Sequence, residues 1–222
     1  SFDIIDGNPK RGYEIIHGSN TDYIELMNFI KNNDISDDIN YNEILKKIDI
    51  ENLIDYYSVE IFFANYDWPI HNVKLYQKKK DRWKFMLYDL DGGFNSSINN
   101  VNHSFNMFER ICKEENYSPT EATLLFRSLM NNKKFRAKFE KRYREIITAY
   151  MQPERTIAIV DSISNLYEDN LERHIYRWRY PWTYSHWERD IEKNIKDFLR
   201  NREAETIKNM NKFMEEKKQE TL

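Results

Sequence analysis

Cysteine, glycine and proline are scarce in this sequence, with one, five and five respectively among 222 residues. The lone Cys112 excludes an intramolecular disulfide framework and a CxxC zinc site, and leaves the redox compartment open. Glycine and proline fall well under their usual shares of roughly 7% and 5%, which argues against a loop-rich β-sandwich, a collagen-like repeat or a proline-rich linker. No apolar run approaches the roughly 20 residues that a bilayer crossing takes, so no transmembrane segment is expected. A charge of one sign is lacking too. The 34 Lys+Arg face 37 Asp+Glu, and the net charge of −3 supplies no global drive toward nucleic acid. The opening residues SFDIIDGNPKRG hold no basic stretch followed by an apolar one, so they predict no signal peptide.

What the sequence does have is 40% hydrophobic residues, 15% aromatics and long stretches of helical period. The pattern predicts an α+β fold, predominantly helical, with residues 1–20 as a connector holding a short β-like piece at Tyr13 to Ile16. Thr21 and Asp22 are candidate caps for a first helix carrying Tyr23, Leu26, Met27 and Ile30, and residues 32–42 read as a polar connector. A second helix from Ile50 is expected to run until Asp67-Trp68-Pro69 stops it. The period then changes from 3.6 to 2. Val73 and Leu75, a basic turn at Lys78 to Arg82, then Trp83, Phe85 and Leu87 predict a β-hairpin over about 72–89. Residues 94–118 read as an irregular functional loop with a short helix around 105–112. After Pro119 the pattern is almost continuously helical, with expected helices at about 133–150, 153–179 and 184–213 and a tail fraying over 215–222.

Two charged or aromatic stretches admit two readings each. Residues 133–144 carry seven basic side chains, but Phe135, Phe139 and Tyr143 recur every fourth residue. This favours a helix with a solvated basic face over a polyanion surface. Arg177, Trp178, Arg179, Tyr180, Trp182 and Trp187 could form an aromatic-basic surface for bases or sugars; helical spacing and the bend at Pro181 favour core packing of the last two helices. His71 reads as a turn histidine, and His103 carries little signal.

The residues with the most chemistry lie between the second helix and the end of the hairpin. Asp67 and Asn72 share one short loop in a D-x-x-x-x-N pattern, and Asp89 follows the return strand. Phosphoryl transfer needs such a set: a carboxylate to accept the proton of the attacking hydroxyl, and an amide with a second carboxylate to hold Mg²⁺ on the phosphates. The order matches kinase-like catalytic lobes. Taken singly, each residue is also an ordinary cap, turn or strand-end residue. Asp91 is either a further metal ligand or a cap for the turn at Gly92-Gly93. Asp89-Leu90-Asp91 also has the D-x-D form with which nucleotide-sugar glycosyltransferases hold Mn²⁺, but the βαβ half such enzymes use is not predicted.

Ile48 to Tyr57, Asn65-Tyr66-Asp67-Trp68-Pro69 with Asn72, Leu75-Tyr76, Trp83-Lys84-Phe85 and Tyr88 to Phe94 together closely resemble the spore-coat protein H (CotH) kinase family. The resemblance continues through Phe126 to Phe135, His174, Arg177-Trp178, and Trp187 to Arg202, covering roughly residues 21–212. It implies a kinase-like C-terminal lobe at 21–214, with the hairpin carrying the metal-site loop. It implies an atypical protein kinase, secreted, at the cell surface or in the spore coat, that uses ATP with Mg²⁺ or Mn²⁺ to phosphorylate protein Ser or Thr. It casts Asp67 as the catalytic residue and Asn72 and Asp89, with Asp91, as metal ligands.

The sequence departs from the family by lacking a G-x-G-x-x-G, a P-loop or a basic residue on a convincing early strand; Lys10 and Arg11 sit in a Gly/Pro turn. The chain is therefore expected to be the second lobe of a kinase-like protein, silent or nearly so on its own, with activity residing in a longer parent. The non-enzymatic alternative is a coat or surface interaction module that keeps the fold without turnover.

Overall fold

The computed structural model describes residues 2–8, 12–79, 81–95, 101–112 and 120–220. Its sheet is four-stranded and antiparallel, in the order β2-β1-β3-β4, with β1 at Phe2–Asn8, β2 at Gly12–His17, β3 at Lys74–Lys78 and β4 at Lys84–Met86. The predicted hairpin is β3 and β4, with Leu75 opposite Phe85 and both side chains buried. Its strands are shorter than the alternation suggested, and Lys80 of its turn lies outside the described residues. The N-terminal connector proves to be two strands. β1 pairs with β3 through Ile5 and Leu75, and β2 takes the outer edge. Among the described side chains of β1 only Ile5 is buried, too little for a period of two to register.

Helices carry the rest. α1 (Thr21–Asn32) buries Tyr23, Leu26, Met27 and Ile30 as its spacing predicts, but its cap is Asn20, and Ser19 Oγ accepts the Thr21 amide at 3.1 Å. The expected connector at 32–42 is shorter than predicted, because α2 begins at Asp38 and runs to Lys47. Asp37 caps it, Tyr41 and Ile44 are its buried anchors with Leu45 partly buried beside them, and Ile39 is exposed. α3 (Ile50–Phe63) starts under an Asp49 cap. It stops before Asp67 because Ala64 turns left-handed at φ 52°, and the Ala64 amide closes onto the Glu60 and Ile61 carbonyls. The short helix of the long loop is α4 (Met107–Cys112). α5 (Glu121–Met130) opens on a capping box between Thr120 and Thr123; Pro119, the expected start, lies outside the described residues, as do Lys10 and Arg11.

α6 (Lys133–Tyr150) buries Phe135, Phe139 and Tyr143 in a stacked row. Its basic face is paired rather than free. Lys134 meets Asp38 at 2.7 Å, Lys138 meets Glu51, and Arg142 clamps Asp55 with bonds of 2.7 and 3.0 Å. These ion pairs stitch α6 to α2 and α3, so the face offers little to a polyanion.

α7 (Pro153–Trp178) and α8 (Tyr184–Asp190) form an arm, followed by a π-helical turn (Ile191–Lys196) and α9 (Asp197–Gln219), which continues past the Glu215 at which fraying was predicted. The arm reverses the expectation of core packing for Trp178, Tyr180 and Trp182, while Trp187 is half-buried against α7. Tyr176, Trp178, Tyr180 and Trp182 are 60–73% exposed, and α7 buries only Thr156 and Leu171. Period alone tells which residues share a helix face, not whether another element covers it.

Candidate functional site

The site begins with the left-handed Ala64, which turns the chain out of α3 into a loop pinned at almost every residue. Asn65 is fully buried, and its amide donates to Glu60 Oε2 at 2.9 Å and to the Asp89 carbonyl at 3.2 Å. The Tyr66 amide donates to the Gly92 carbonyl at 3.1 Å. From α4, the Arg110 guanidinium lies 3.8 Å over the Tyr66 ring and bonds the Tyr66 carbonyl. Trp68 is buried edge-on against Tyr57 at 5.0 Å, with Tyr57 stacked on Phe126 at 4.8 Å. Asp67, between these anchors, is half-buried, and its carbonyl accepts the His71 amide at 2.8 Å.

A second segment, Asp89 to Asn95, lies against the first. The Phe94 amide donates to the Phe63 carbonyl at 2.9 Å, and the Phe94 ring packs between Phe63 and Phe198. Two glycines make this approach possible. A Cβ on Gly92 would sit 3.0 Å from the Asp67 carboxylate, and one on Gly93 would sit 2.5 Å from the Phe63 carbonyl. Gly92-Gly93 thus marks a crossing of two segments as well as a turn.

Of the four predicted residues, Asn72 and Asp89 are joined directly. Asn72 Nδ2 reaches the Asp89 carbonyl at 3.4 Å, and both residues adopt left-handed backbone, φ 62° and 57°. The Asp91 carboxylate lies beside that of Asp89. That contact, then the Asp91 and Asp67 charges, pushes the Asp89 carboxyl above its ordinary range, while the Asn72 amide opposes the rise. Carboxylates gathered so that they raise the proton affinity of Asp89 are an arrangement a bound cation would relieve. Asp67 faces the pair from across Gly92. Among the described residues no three His, Cys, Asp or Glu side chains form a metal cluster. The oxygen set at Asp89 is therefore one amide and two carboxylates, which suits a hard divalent ion that keeps water or phosphate in its remaining positions.

Two participants escaped the sequence reading. Glu60 is fully buried on the apolar side of α3 beneath the loop; burial pushes its carboxyl up to about 8, against the Asn65 hydrogen bond and the neighbouring Tyr56 hydroxyl. Tyr56 in turn reaches the Asn72 carbonyl at 3.3 Å. Asn65, quoted only as part of a motif, is the bridge between Glu60 and Asp89. The one available signal was a glutamate set among Tyr56, Tyr57, Ile61 and Phe62.

Arg202 of α9 holds this floor from the other side. It is fully buried and donates to the Ile61, Phe62 and His103 carbonyls at 2.7 Å and to that of Phe105 at 2.8 Å. Two of those carbonyls belong to the last turn of α3, where a cation is favoured by the helix dipole.

A search among curated proteins returns no match. Comparison with protein families matches residues 7–206 to the family described as CotH kinase protein. The match takes in β2, β3 and β4 with the end of β1, both crossing segments with Asp67, Asn72, Asp89 and Asp91, and the helices beneath them as far as Arg202, and on that span the chain belongs to the CotH kinase family.

Proposed function

We propose that this chain carries the phosphoryl-transfer half of a protein kinase site, using ATP with Mg²⁺ or Mn²⁺ and a Ser or Thr hydroxyl of a protein acceptor. The observation that carries the reading is the Asn72 to Asp89 contact, made by the two segments that also bring Asp67 and Gly92 together. Asn72 Oδ1, Asp89 and Asp91 would hold the divalent cation, which neutralises charge on the phosphates when bound. Asp67 orients the acceptor hydroxyl and takes its proton as the hydroxyl oxygen bonds to the γ-phosphorus. The bond from that phosphorus to the β–γ bridging oxygen breaks, and ADP leaves with the electron pair. Trp68 and Gly92 fix where the Asp67 carboxylate sits, and positioning of this kind supplies much of the rate.

The antiparallel sheet removes support for the glycosyltransferase alternative, since no βαβ unit occurs among the described residues. The test is transfer of labelled γ-phosphate to protein Ser or Thr, with metal present or chelated. Transfer that requires metal and falls at least about 100-fold in Asp67→Asn supports the assignment. Unchanged transfer in both Asp67→Asn and Asp89→Ala would remove these residues from the mechanism.

A further inference from the structure

The arm formed by α7 and α8 has an end unlike its shaft. From Arg173 through Trp187 the sequence contains Arg173, Arg177 and Arg179 and no Asp or Glu. Over the same stretch Tyr176, Trp178, Tyr180 and Trp182 stand in solvent. Arg177 lies 4.9 Å over the Trp178 ring and Arg179 lies 5.2 Å over Tyr176, so cations and rings are interleaved. Among the described residues no carboxylate pairs with any of the three arginines. The display is also held in shape. His186 lies 4.9 Å from Trp182 and 5.8 Å from Tyr180, its Nδ1 accepts the Trp182 amide, and its Nε2 meets Asp190 at 3.1 Å.

The shaft has the opposite character. The cleft between α7 and α8 is lined by Asp161, Glu168, Glu188 and Glu192, with Lys196 already bound to Asp161 at 2.5 Å. A duplex or an anionic membrane surface large enough to cover the end would meet these acids. A short acidic chain segment would not. Guanidinium forks match carboxylates in pairs, and the exposed rings give such a segment apolar surface to lie on.

The arm joins the candidate site through the π-helical turn that follows α8. Asn95, at the end of the segment that begins with Asp89, donates to the Lys193 carbonyl at 3.0 Å. From Tyr184 to Lys193 the helix rises roughly 14 Å. About four extended residues span that length.

We propose that the arginine–aromatic end of the arm is a docking surface for an acidic peptide segment of the protein acceptor. The acceptor's part in this rests on the kinase reading above, whereas binding of the acidic segment does not.

The experiment therefore reads binding alone, on the full chain, in chelator and without ATP. The probe is a short fluorescein-labelled peptide of Asp and Glu with interspersed phenylalanine, followed by anisotropy. Its counterpart carries lysine at every acidic position. The acidic probe should bind, more weakly as salt is raised, and the basic one should not. Arg173→Glu with Arg177→Glu should weaken binding at least about tenfold, as should Trp178→Ala with Trp182→Ala. Lys141→Glu, an exposed change of the same charge on α6, should leave it unaltered. All these side chains are exposed, and an unchanged circular dichroism spectrum identifies variants that remain folded. Equal binding of both probes, or full binding by the arginine variant, overturns the proposal. So does binding to phosphatidylserine vesicles or to single-stranded oligothymidylate without binding to the acidic peptide. Because binding is read without ATP, failure of the Asp67→Asn and Asp89→Ala transfer test would count against the kinase reading alone and leave this surface standing.

Discussion

The loop pair at Asp67 and Asp89 and the arm at Trp178 to Trp182 belong to one chain, yet they are built by opposite rules. In the loops, the hydrogen bonds of Asn65, Tyr66 and Phe94, two glycines and a buried tryptophan fix the backbone, and the candidate chemical groups are a handful of oxygens. In the arm, large side chains stand free on a helix pair that buries little. Oxygens that must meet a phosphate within a fraction of an ångström need every neighbour fixed, whereas a surface that greets a flexible segment needs area and charge. Small substitutions should therefore be severe at the loops, and large ones mild at the arm.

The largest effect on stability is expected at Arg202→Leu. Four carbonyls would lose their donor and the end of α3 its cation, at a cost of about 3–5 kcal/mol that a shift in urea midpoint would reveal. Gly93→Ala adds one methyl group against the Phe63 carbonyl and should cost about 1–3 kcal/mol, with loss of any phosphoryl transfer the protein performs. A stable, active Gly93→Ala protein would mean that the crossing of the two segments is not rigid.

Glu60 sharpens the contrast through pH. Its folded-state pKa of about 8 lies above the ordinary 4.5, so the folded state binds the extra proton between those values. The stability attached to its neutral form is fully present below about pH 4.5 and is lost as pH rises toward 8, with a limiting slope of about 1.4 kcal/mol per pH unit. Glu60→Gln, which mimics the neutral acid, should flatten the denaturation midpoint over that window. Parallel curves for the two proteins would show that Glu60 ionises freely. The smallest effect is expected on the arm. Trp178→Ala with Trp182→Ala should leave stability within about 0.5 kcal/mol of the parent, and a loss comparable to that of Gly93→Ala would dissolve the comparison.

How much of this was legible in the sequence follows the same division. The row Phe135, Phe139, Tyr143 and the hairpin strands around Leu75 and Phe85 could be read because local period reports burial directly. The order of Asp67, Asn72 and Asp89 could be read because the two strands return the chain to where it left. β1 was hidden because, among its described side chains, Ile5 is the one fully committed to the core, and most of α2 because it buries just Tyr41 and Ile44 fully. Asn65 and Glu60 look like surface residues in the sequence, and only the fold turns them inward. The arm misled for the opposite reason: its rings have the composition of a core, and nothing local to them says that no element arrives to cover them.

Arg202 adds a consequence in time. The Phe62 carbonyl it caps lies 140 residues earlier in the chain. At synthesis rates of about 5–20 residues per second, the end of α3 waits on the order of ten seconds for its cap. A nascent chain halted in that interval holds Asp67, Asn72, Asp89 and Asp91 and lacks the side chain that closes the floor beneath them. Such a chain is expected to meet proteases with the loop pair loose, and to become resistant only once α9 has emerged.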